Sequence, residues 1–368
     1  MNLNAAIVRY GEISLKGRNR RDFELRLVAD IENYLRLGGH DRGRVILRKG
    51  RIYIHDLTSR PALEKVLGVH SYSLARRVEK SREALEAEAA AAAEVVRGAT
   101  SFCVRCQRVD KQFSLNSMDV ERLMGEVIRR ITGIGVDLVS PQVTLFVEIG
   151  QDGAYLFRDK IPGFGGFPFG TAGRLVSLVS SGIDSPVATF LMMKRGVEPI
   201  LVHYRISDSD YRKVLALKAK LEEYTAGRTL EIHTIDRDEV FRGRFDGLYA
   251  NRRFHAYMCV LCKYLMHKKA GEIARERDAL GIVTGDNLAQ VASQTLKNLA
   301  VYHTVSGLPV YSPLIAFEKE QTIHLARAIG TYDLSVAHSQ GCRPPATPKT
   351  GVSTDAFARI LRDSGVED

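Results

Sequence analysis

Leu175-Val-Ser-Leu-Val179 runs without a break into Ser180-Ser-Gly-Ile-Asp-Ser185, and helix-forming residues follow from Pro186 onward. A short apolar run, a turn of small residues and a helix start restrict the chain to a buried strand whose carboxyl end meets a helix N-terminus. Unpaired backbone N–H groups and the positive end of the helix dipole make that junction an anion site. Pro186 suits the first helical turn, where its missing N–H is not needed. The turn is not a Walker A loop, because no Gly-Lys-Ser/Thr follows it, and no Gly-x-Gly-x-x-Gly follows a strand. A Ser/Gly-rich helix cap without a ligand is the plainer reading of the same residues.

The pattern continues in the same style. Strand patterns at 175–179, 199–203, 230–235 and 281–284 alternate with helical ones at 186–194 and 211–224. Strands joined by helices imply a parallel, doubly wound sheet, here over 171–368. The first half reads differently, as small mixed α/β modules. Residues 6–8 form a strand pattern, and Phe23, Leu27, Ile31, Tyr34 and Leu35 keep helical spacing until Gly38-Gly39. Two short strands flank Lys49-Gly50. A helix is expected over 81–97, a strand over 101–109, a helix over 120–131 and a strand over 143–147. The Pro/Gly-rich stretch 161–170 reads as a linker. The expected division is therefore 1–72, 73–160, a linker at 161–170, and 171–368.

Charge narrows the partners. The 368 residues carry 53 Lys/Arg against 43 Asp/Glu, a net charge of +10. Residues 1–50 hold 11 Lys/Arg against 6 Asp/Glu, with Lys16, Arg18, Arg20, Arg21 and Arg26 close together. Such a face binds polyanions through counterion release, although a solvated surface looks the same in sequence. No apolar run approaches the roughly 18 residues that a membrane helix needs, and Met1 to Tyr10 lacks the features of a secretory leader. Five cysteines, an odd number, argue against a disulfide framework. A cytoplasmic protein is expected, with no membrane partner.

Cys259-Val-Leu-Cys262 falls at an expected helix start, where two thiolates can share a metal and Lys263 lowers their pKa. Cys103 and Cys106 fall on an expected strand, three residues apart and so on opposite faces, which makes them packing residues. Cys342 is the remaining thiol. Structural zinc takes four protein ligands; three cysteines suit a [4Fe–4S] cluster with one open iron. Zinc completed by a histidine or by Cys342 is the alternative.

Ser180-Ser-Gly-Ile-Asp-Ser185 resembles the Ser-Gly-Gly-x-Asp-Ser pyrophosphate loop of ATP-pyrophosphatases, with Ser181 where that family usually has glycine. If the position needs positive φ, a serine there costs about 1 kcal/mol. Tyr10-Gly-Glu-Ile-Ser-Leu-Lys-Gly17, Phe167-Pro-Phe-Gly170, Thr284-Gly-Asp-Asn-Leu-Ala-Gln-Val-Ala-Ser-Gln-Thr295 and Phe317-Glu-Lys-Glu320 extend the likeness. Together, and in order over residues 1 to about 350, these blocks resemble the ThiI family of tRNA 4-thiouridine synthetases.

That resemblance implies a ferredoxin-like domain, a THUMP domain that holds tRNA, and a pyrophosphatase domain. It implies ATP contacts from Leu178, Val179, His203, Tyr204, Lys263, Gly285 and Gln294, with Ser180, Ser181, Gly182 and Ser185 forming the pyrophosphate loop. Asp184 would help hold Mg²⁺ on the phosphates. Lys319 and Cys342, 23 residues apart as in the family, align with its catalytic lysine and cysteine. Cys259, Cys262 and Cys342 match the cluster ligands of a subset of relatives. The implied reaction adenylates uridine O4 at position 8 of tRNA and replaces that oxygen with sulfur. No rhodanese segment follows within the 368 residues, so inorganic sulfide or a separate cysteine desulfurase or persulfide donor is expected to supply the sulfur. A homodimer is also implied, and thiamine synthesis stays open as a second role. Two other readings are a 2-thiouridine or 2-thiothymidine synthetase of the same superfamily and a catalytically weak tRNA-binding protein.

Overall fold

The computed structural model describes residues 3–40, 42–48, 50–236, 251–338 and 346–364. The chain forms two compact units, Met1–Gly166 and Phe167–Asp368.

The first unit is built on one mixed sheet. Strand β1 (Ala5–Arg9) leads into helix α1 (Arg20–Leu37), the hairpin β2 (Arg44–Arg48) and β3 (Arg51–His55), and β4 (Ser71–Val78). Next come α2 (Arg82–Val96), β5 (Ser101–Arg108), α3 (Ser117–Thr132), β6 (Gly135–Val136), β7 (Val143–Gly150), β8 (Gly153–Phe157) and β9 (Ile161–Pro162). The order across the sheet is β2-β3-β1-β4-β8-β7-β5-β6, with β9 on the side of β4. β4 serves both halves: Ser71 to Ala75 pair with β1, and Arg76 to Val78 pair with β8. The expected boundary at 72/73 therefore falls inside one strand.

Local sequence explains these elements. Ser81 caps α2 by accepting from the Ala84 N–H, and Asn116 and Asp119 form a reciprocal capping box on α3. Phe102 and Val104 of β5 point into a core with Leu85, Ala89, Met124, Ile128 and Leu145, and Cys106 packs against it. Cys103 is buried on the opposite face of the strand, beside Thr144. Burial, with Glu121 adding to it, pushes the Cys106 thiol up to about 12. A buried carboxylate ties β1, β3 and β7 together: Glu148 accepts from the Tyr53 hydroxyl at 2.8 Å and lies 3.5 Å from Arg51 and 3.9 Å from Arg9.

The segment read as a linker is bonded along its length. β9 pairs with β4, and the Gly163 and Gly165 N–H groups donate to His70 and Val69 carbonyls. A Cβ on Gly163 would sit 2.3 Å from the Val69 oxygen, so only glycine allows this approach. Further on, the Phe167 N–H donates to the Lys194 carbonyl, and Phe169 is buried beneath the Arg228 guanidinium. The residues up to Gly165 make these contacts within the first unit, and those from Phe167 within the second.

The second unit is a five-stranded parallel sheet. Its strands are β10 (Arg174–Leu178), β11 (Glu198–Arg205), β12 (Ile232–Asp236), β13 (Ile282–Val283) and β14 (Val310–Tyr311), in the order β12-β11-β10-β13-β14. Helices α4 (Asp184–Lys194), α5 (Asp208–Glu222), α6 (Met258–Glu276), α7 (Leu296–Tyr302), α8 (Lys319–Ala328), α9 (Tyr332–Val336) and α10 (Thr354–Ser364) complete it. Val176, Ile200 and Val202 pack against Ala270, Ile273 and Ala274 of α6. Phe357, Ile360 and Leu361 of α10 close a second core over Met258, Leu261 and Leu265. The winding reverses between β10 and β13, and ligands of open α/β sheets bind at that switch point, outside the carboxyl ends of the strands.

Candidate functional site

Both segments that leave the switch point converge there. After β10 comes the small-residue loop, and α4 starts at Asp184, two residues before the start expected at Pro186. Pro186 is then the third helical residue, still within the first turn, where N–H groups lack intrahelical acceptors. The loop is internally braced. Ser185 Oγ accepts from the Ser180 N–H at 2.8 Å and donates to the Ser180 carbonyl at 3.2 Å. Ser177 and Thr189 hydroxyls meet beneath it at 2.7 Å.

Ser181 carries no backbone penalty, because it is not among the residues with positive φ. The condition under which serine would be strained is not met. Its hydroxyl bonds instead to Asp210 on α5. Burial raises the Asp210 carboxyl, but His203 and Ser181 outweigh it and hold the group below the usual carboxylate range.

After β13 comes Thr284-Gly285-Asp286. A Cβ on Gly285 would lie 2.8 Å from the Ser185 nitrogen and 2.9 Å from the Asp184 carbonyl carbon. Glycine is required because this strand end lies directly against the first turn of α4. One cavity opens between the two segments. Leu178, Val179, Ser180, Gly182, Asp184 and Ser185 line one side. Val202, Lys263, Met266, His267, Thr284, Gly285, Asp286 and Gln294 line the rest.

The expected site residues are not all on that wall. Ser181, His203 and Tyr204 do not line the cavity. His203 is buried behind it, its Nδ1 3.0 Å from the Val179 carbonyl and its Nε2 3.2 Å from Asp210 Oδ2. Tyr204 is also buried and donates to the Met266 carbonyl at 2.8 Å. These three brace the wall rather than form it. Lys319 is brought to the loop from 135 residues away, its Nζ 2.7 Å from Asp184 Oδ1. As the first residue of α8, its ammonium faces the positive end of a helix dipole, an unfavourable place that the Asp184 carboxylate offsets.

Sequence reasoning names Lys263 and Gln294 but misses Asp286, which holds both, and His303 beside it. Asp286 Oδ1 accepts from Lys263 Nζ at 2.6 Å and from Gln294 Nε2 at 3.0 Å. His303 Nε2 lies 3.0 Å from Oδ2, and because a carboxylate only accepts, the ring donates. Burial pushes this carboxyl up, but the His303 hydrogen bond and the Lys263 charge prevail and keep it ionised far below its ordinary range. Burial lowers His267 to about 3, so its imidazole is neutral. The Thr-Gly-Asp run carried the signal, since an acid beside a required glycine at a strand end faces the same cavity.

The cysteines occupy three settings. Cys259 and Cys262 are the second and fifth residues of α6, half-buried, with Cys262 Sγ 3.9 Å from Met266 Sδ. Lys263 and His267 follow on the same helix, at spacings that bring them to one side with the thiols. Cys103 and Cys106 belong to the core of the first unit. Cys342 lies outside the described residues.

A parallel sheet whose switch point holds a serine-rich loop, a helix N-terminus, a cavity-lining lysine, Lys263, and a second lysine, Lys319, paired to the loop defines the second unit as a nucleotide-phosphate domain. Family comparison gives the whole chain. Residues 170–360 match the thiamine biosynthesis protein (ThiI) family, residues 5–73 the ThiI ferredoxin-like domain and residues 80–159 the THUMP domain. The chain belongs to the ThiI family. A "Probable tRNA sulfurtransferase" of Thermococcus kodakarensis is 39% identical over 90% of this chain and 89% of its own length. One of Methanothermobacter thermautotrophicus is 36% identical over 100% and 95%. Among solved structures, a 4-thiouridine synthetase–RNA complex with bound ATP is similar with a TM-score of 0.85, at 29% identity, over 99% of this chain and 95% of that one. PH1313 from Pyrococcus horikoshii is similar with a TM-score of 0.69, at 28% identity, over 89% of this chain and all of the other. No helix among the described residues is long and apolar enough to cross a membrane.

Proposed function

We propose that the protein is an ATP-dependent tRNA sulfurtransferase that converts uridine to 4-thiouridine, at position 8 of tRNA. The observation that carries this reading is the Asp184–Lys319 pair at the mouth of a pyrophosphate-type loop. The ATP- and RNA-bound relative supports both partners.

The chemistry requires activation because the C4 oxygen of uridine is a poor leaving group. In the first step uridine O4 attacks the α-phosphorus of ATP and pyrophosphate leaves. The N–H groups at the start of α4 and the Lys319 ammonium stabilise the charge that develops on the phosphoryl oxygens. Lys263, held by Asp286, adds a second cation on the opposite wall. Asp184 would share a Mg²⁺ on the phosphates, an oxygen-ligand role. In the second step sulfide attacks C4, and AMP leaves with the former O4.

Cys259, Cys262 and Cys342 are the residues that would hold a [4Fe–4S] cluster. Two thiols one turn apart at the start of one helix fit such a role, and Lys349, seven residues past Cys342, donates its N–H to the Ala256 carbonyl three residues before Cys259. A cluster bound there would supply an iron position open to a sulfur ligand. Cys342 is also the candidate for a persulfide route. The basic first unit is the proposed tRNA platform, although Arg20 and Arg26 are already paired with Glu24 and Asp30 on α1.

The test is two measurements on the full chain with tRNA, ATP and sulfide. Pyrophosphate release must depend on tRNA, and mass spectrometry of digested tRNA must place sulfur on C4 of one uridine. Thiolation at C2 would transfer the protein to the other thiolase class. Binding of tRNA without pyrophosphate release would reduce it to an RNA-binding protein.

A further inference from the structure

On and behind the cavity wall opposite the pyrophosphate loop lies a cluster whose two histidines the adenylation chemistry does not use, and whose Asp286 serves it only by holding Lys263. His267, Asp286 and His303 each offer a ligand atom to a common space, and the three atoms lie within 4.8 Å of one another. We propose that these residues form a binding site for a divalent transition-metal ion of the zinc and cobalt class, separate from the cysteines.

The donor set selects the class. Two imidazoles and one carboxylate suit borderline ions such as Zn²⁺ and Co²⁺, whereas Mg²⁺ prefers oxygen ligands throughout. The distances allow it. Asp286 Oδ2 and His303 Nε2 are 3.0 Å apart; with metal–ligand bonds of about 2.1 Å that separation subtends roughly 90° at the ion. Three atoms on one ion can be at most about 4.2 Å apart at such bond lengths, so the cluster closes slightly around its ligand.

The burial pattern points the same way. His267 is 2% exposed, and its Nδ1 is sealed from solvent with no hydrogen-bond partner. A buried polar atom left unpaired costs on the order of 1–3 kcal/mol. An ion between the two histidines supplies that partner, directly or after a ring flip that exchanges the nitrogens. Asp286 is also prepared for it. Lys263 and Gln294 both hold Oδ1 and fix the carboxylate plane, so the ion takes Oδ2 and the His303 ring proton moves to Nδ1. Sharing one carboxylate with an ammonium weakens the site, which makes the ion exchangeable. Three protein ligands leave an open position. His303, with its side chain 20% exposed, provides the route from solvent.

Cobalt(II) titration of the anaerobic full-length protein tests the proposal, because a His₂Asp site gives d–d bands without the intense thiolate charge-transfer absorption of a cysteine site. The variant Cys259→Ser/Cys262→Ser/Cys342→Ser should still bind one Co²⁺ per chain, displaceable by Zn²⁺. Adding His303→Ala or His267→Leu should weaken that binding by more than about 100-fold, beyond what loss of a supporting residue does. His303 is at the end of a short helix, so its variant keeps the test valid should His267→Leu fail to fold. Binding within threefold of the parent in both histidine variants, or no Co²⁺ in the triple-cysteine variant, would overturn the site. Neither result bears on ATP binding, which is measured separately without added transition metal.

Discussion

Gly285→Ala is the substitution whose effect follows most directly from the geometry. The new Cβ would meet the Ser185 nitrogen at 2.8 Å and the Asp184 carbonyl carbon at 2.9 Å. Both are backbone atoms in the first turn of α4, so neither can rotate away as a side-chain tip would. Relief needs the strand end and the loop to part by several tenths of an ångström. Overpacking of this kind costs about 1–3 kcal/mol, and for a unit of this size each kcal/mol lowers Tm by roughly 2–4 °C. The expected fall is therefore about 2–12 °C. The same displacement moves the phosphate cradle, and misplacements approaching 1 Å cost on the order of 100-fold in activity. Gly182→Ala is the control for stability: its Cβ meets only Ser180 Oγ, at 3.5 Å, and φ is not positive. Calorimetric Tm and ATP affinity by equilibrium titration check the prediction. A Gly285→Ala protein that melts within 1 °C of wild type and binds ATP within threefold of it would refute the packing argument.

Asp184→Asn should change stability by less than about 1 kcal/mol, because its ion pair with Lys319 is partly exposed. Tested alongside it, tRNA-dependent pyrophosphate release should fall at least about 100-fold while tRNA affinity holds; normal turnover would remove Asp184 from the chemistry. Ser substitution of Cys259, Cys262 or Cys342 should abolish iron binding measured after anaerobic reconstitution. Cys103→Ala and Cys106→Ala should retain iron and lose only about 1–2 kcal/mol of stability. His55, which burial lowers to about 4, makes the first unit acid-sensitive. The unfolded chain protonates this ring near 6.5, so between those values the unfolded state binds more protons and falling pH destabilises the fold. Urea midpoints should drop from pH 6.5 towards 4 by more in wild type than in His55→Gln, and equal slopes would exclude His55 as the cause.

Much of this was legible in the sequence because it was local. The run from Leu175 to Ser185 announced the strand, loop and helix, and the Lys49-Gly50 punctuation announced the β2–β3 hairpin. Spacing on β5 correctly separated Cys103 from Cys106. The errors were tertiary. Pro186 looked like a helix start, yet the hydrogen bonds between Ser180 and Ser185 draw the first turn back to Asp184. Ser181 looked like a possible strain point, but strain depends on φ, which the residue type does not disclose. Asp286 does not stand out beside Gly285 in sequence because its importance lies in Lys263, Gln294 and His303, up to 23 residues away along the chain. The strand β8, buried on both faces, lacks the alternation that would have marked it.

The shared strand β4 has a consequence for how the first unit comes apart. A chain cut between Ala75 and Arg76 would leave β1 and β8 each with its own stretch of β4, but it would part β9 from Ser71 and Tyr72 and Glu148 from Arg9, Arg51 and Tyr53. The two family segments that meet there are thus distinguishable by descent but not separable by scissors. Chimeras that exchange one for the other must carry all of β4 and rebuild both seams, Glu148 with Arg9, Arg51 and Tyr53 included. Mechanical or chemical unfolding of this unit should accordingly show a single step, because one strand, the β9 pairing and the buried Glu148 contacts join the halves.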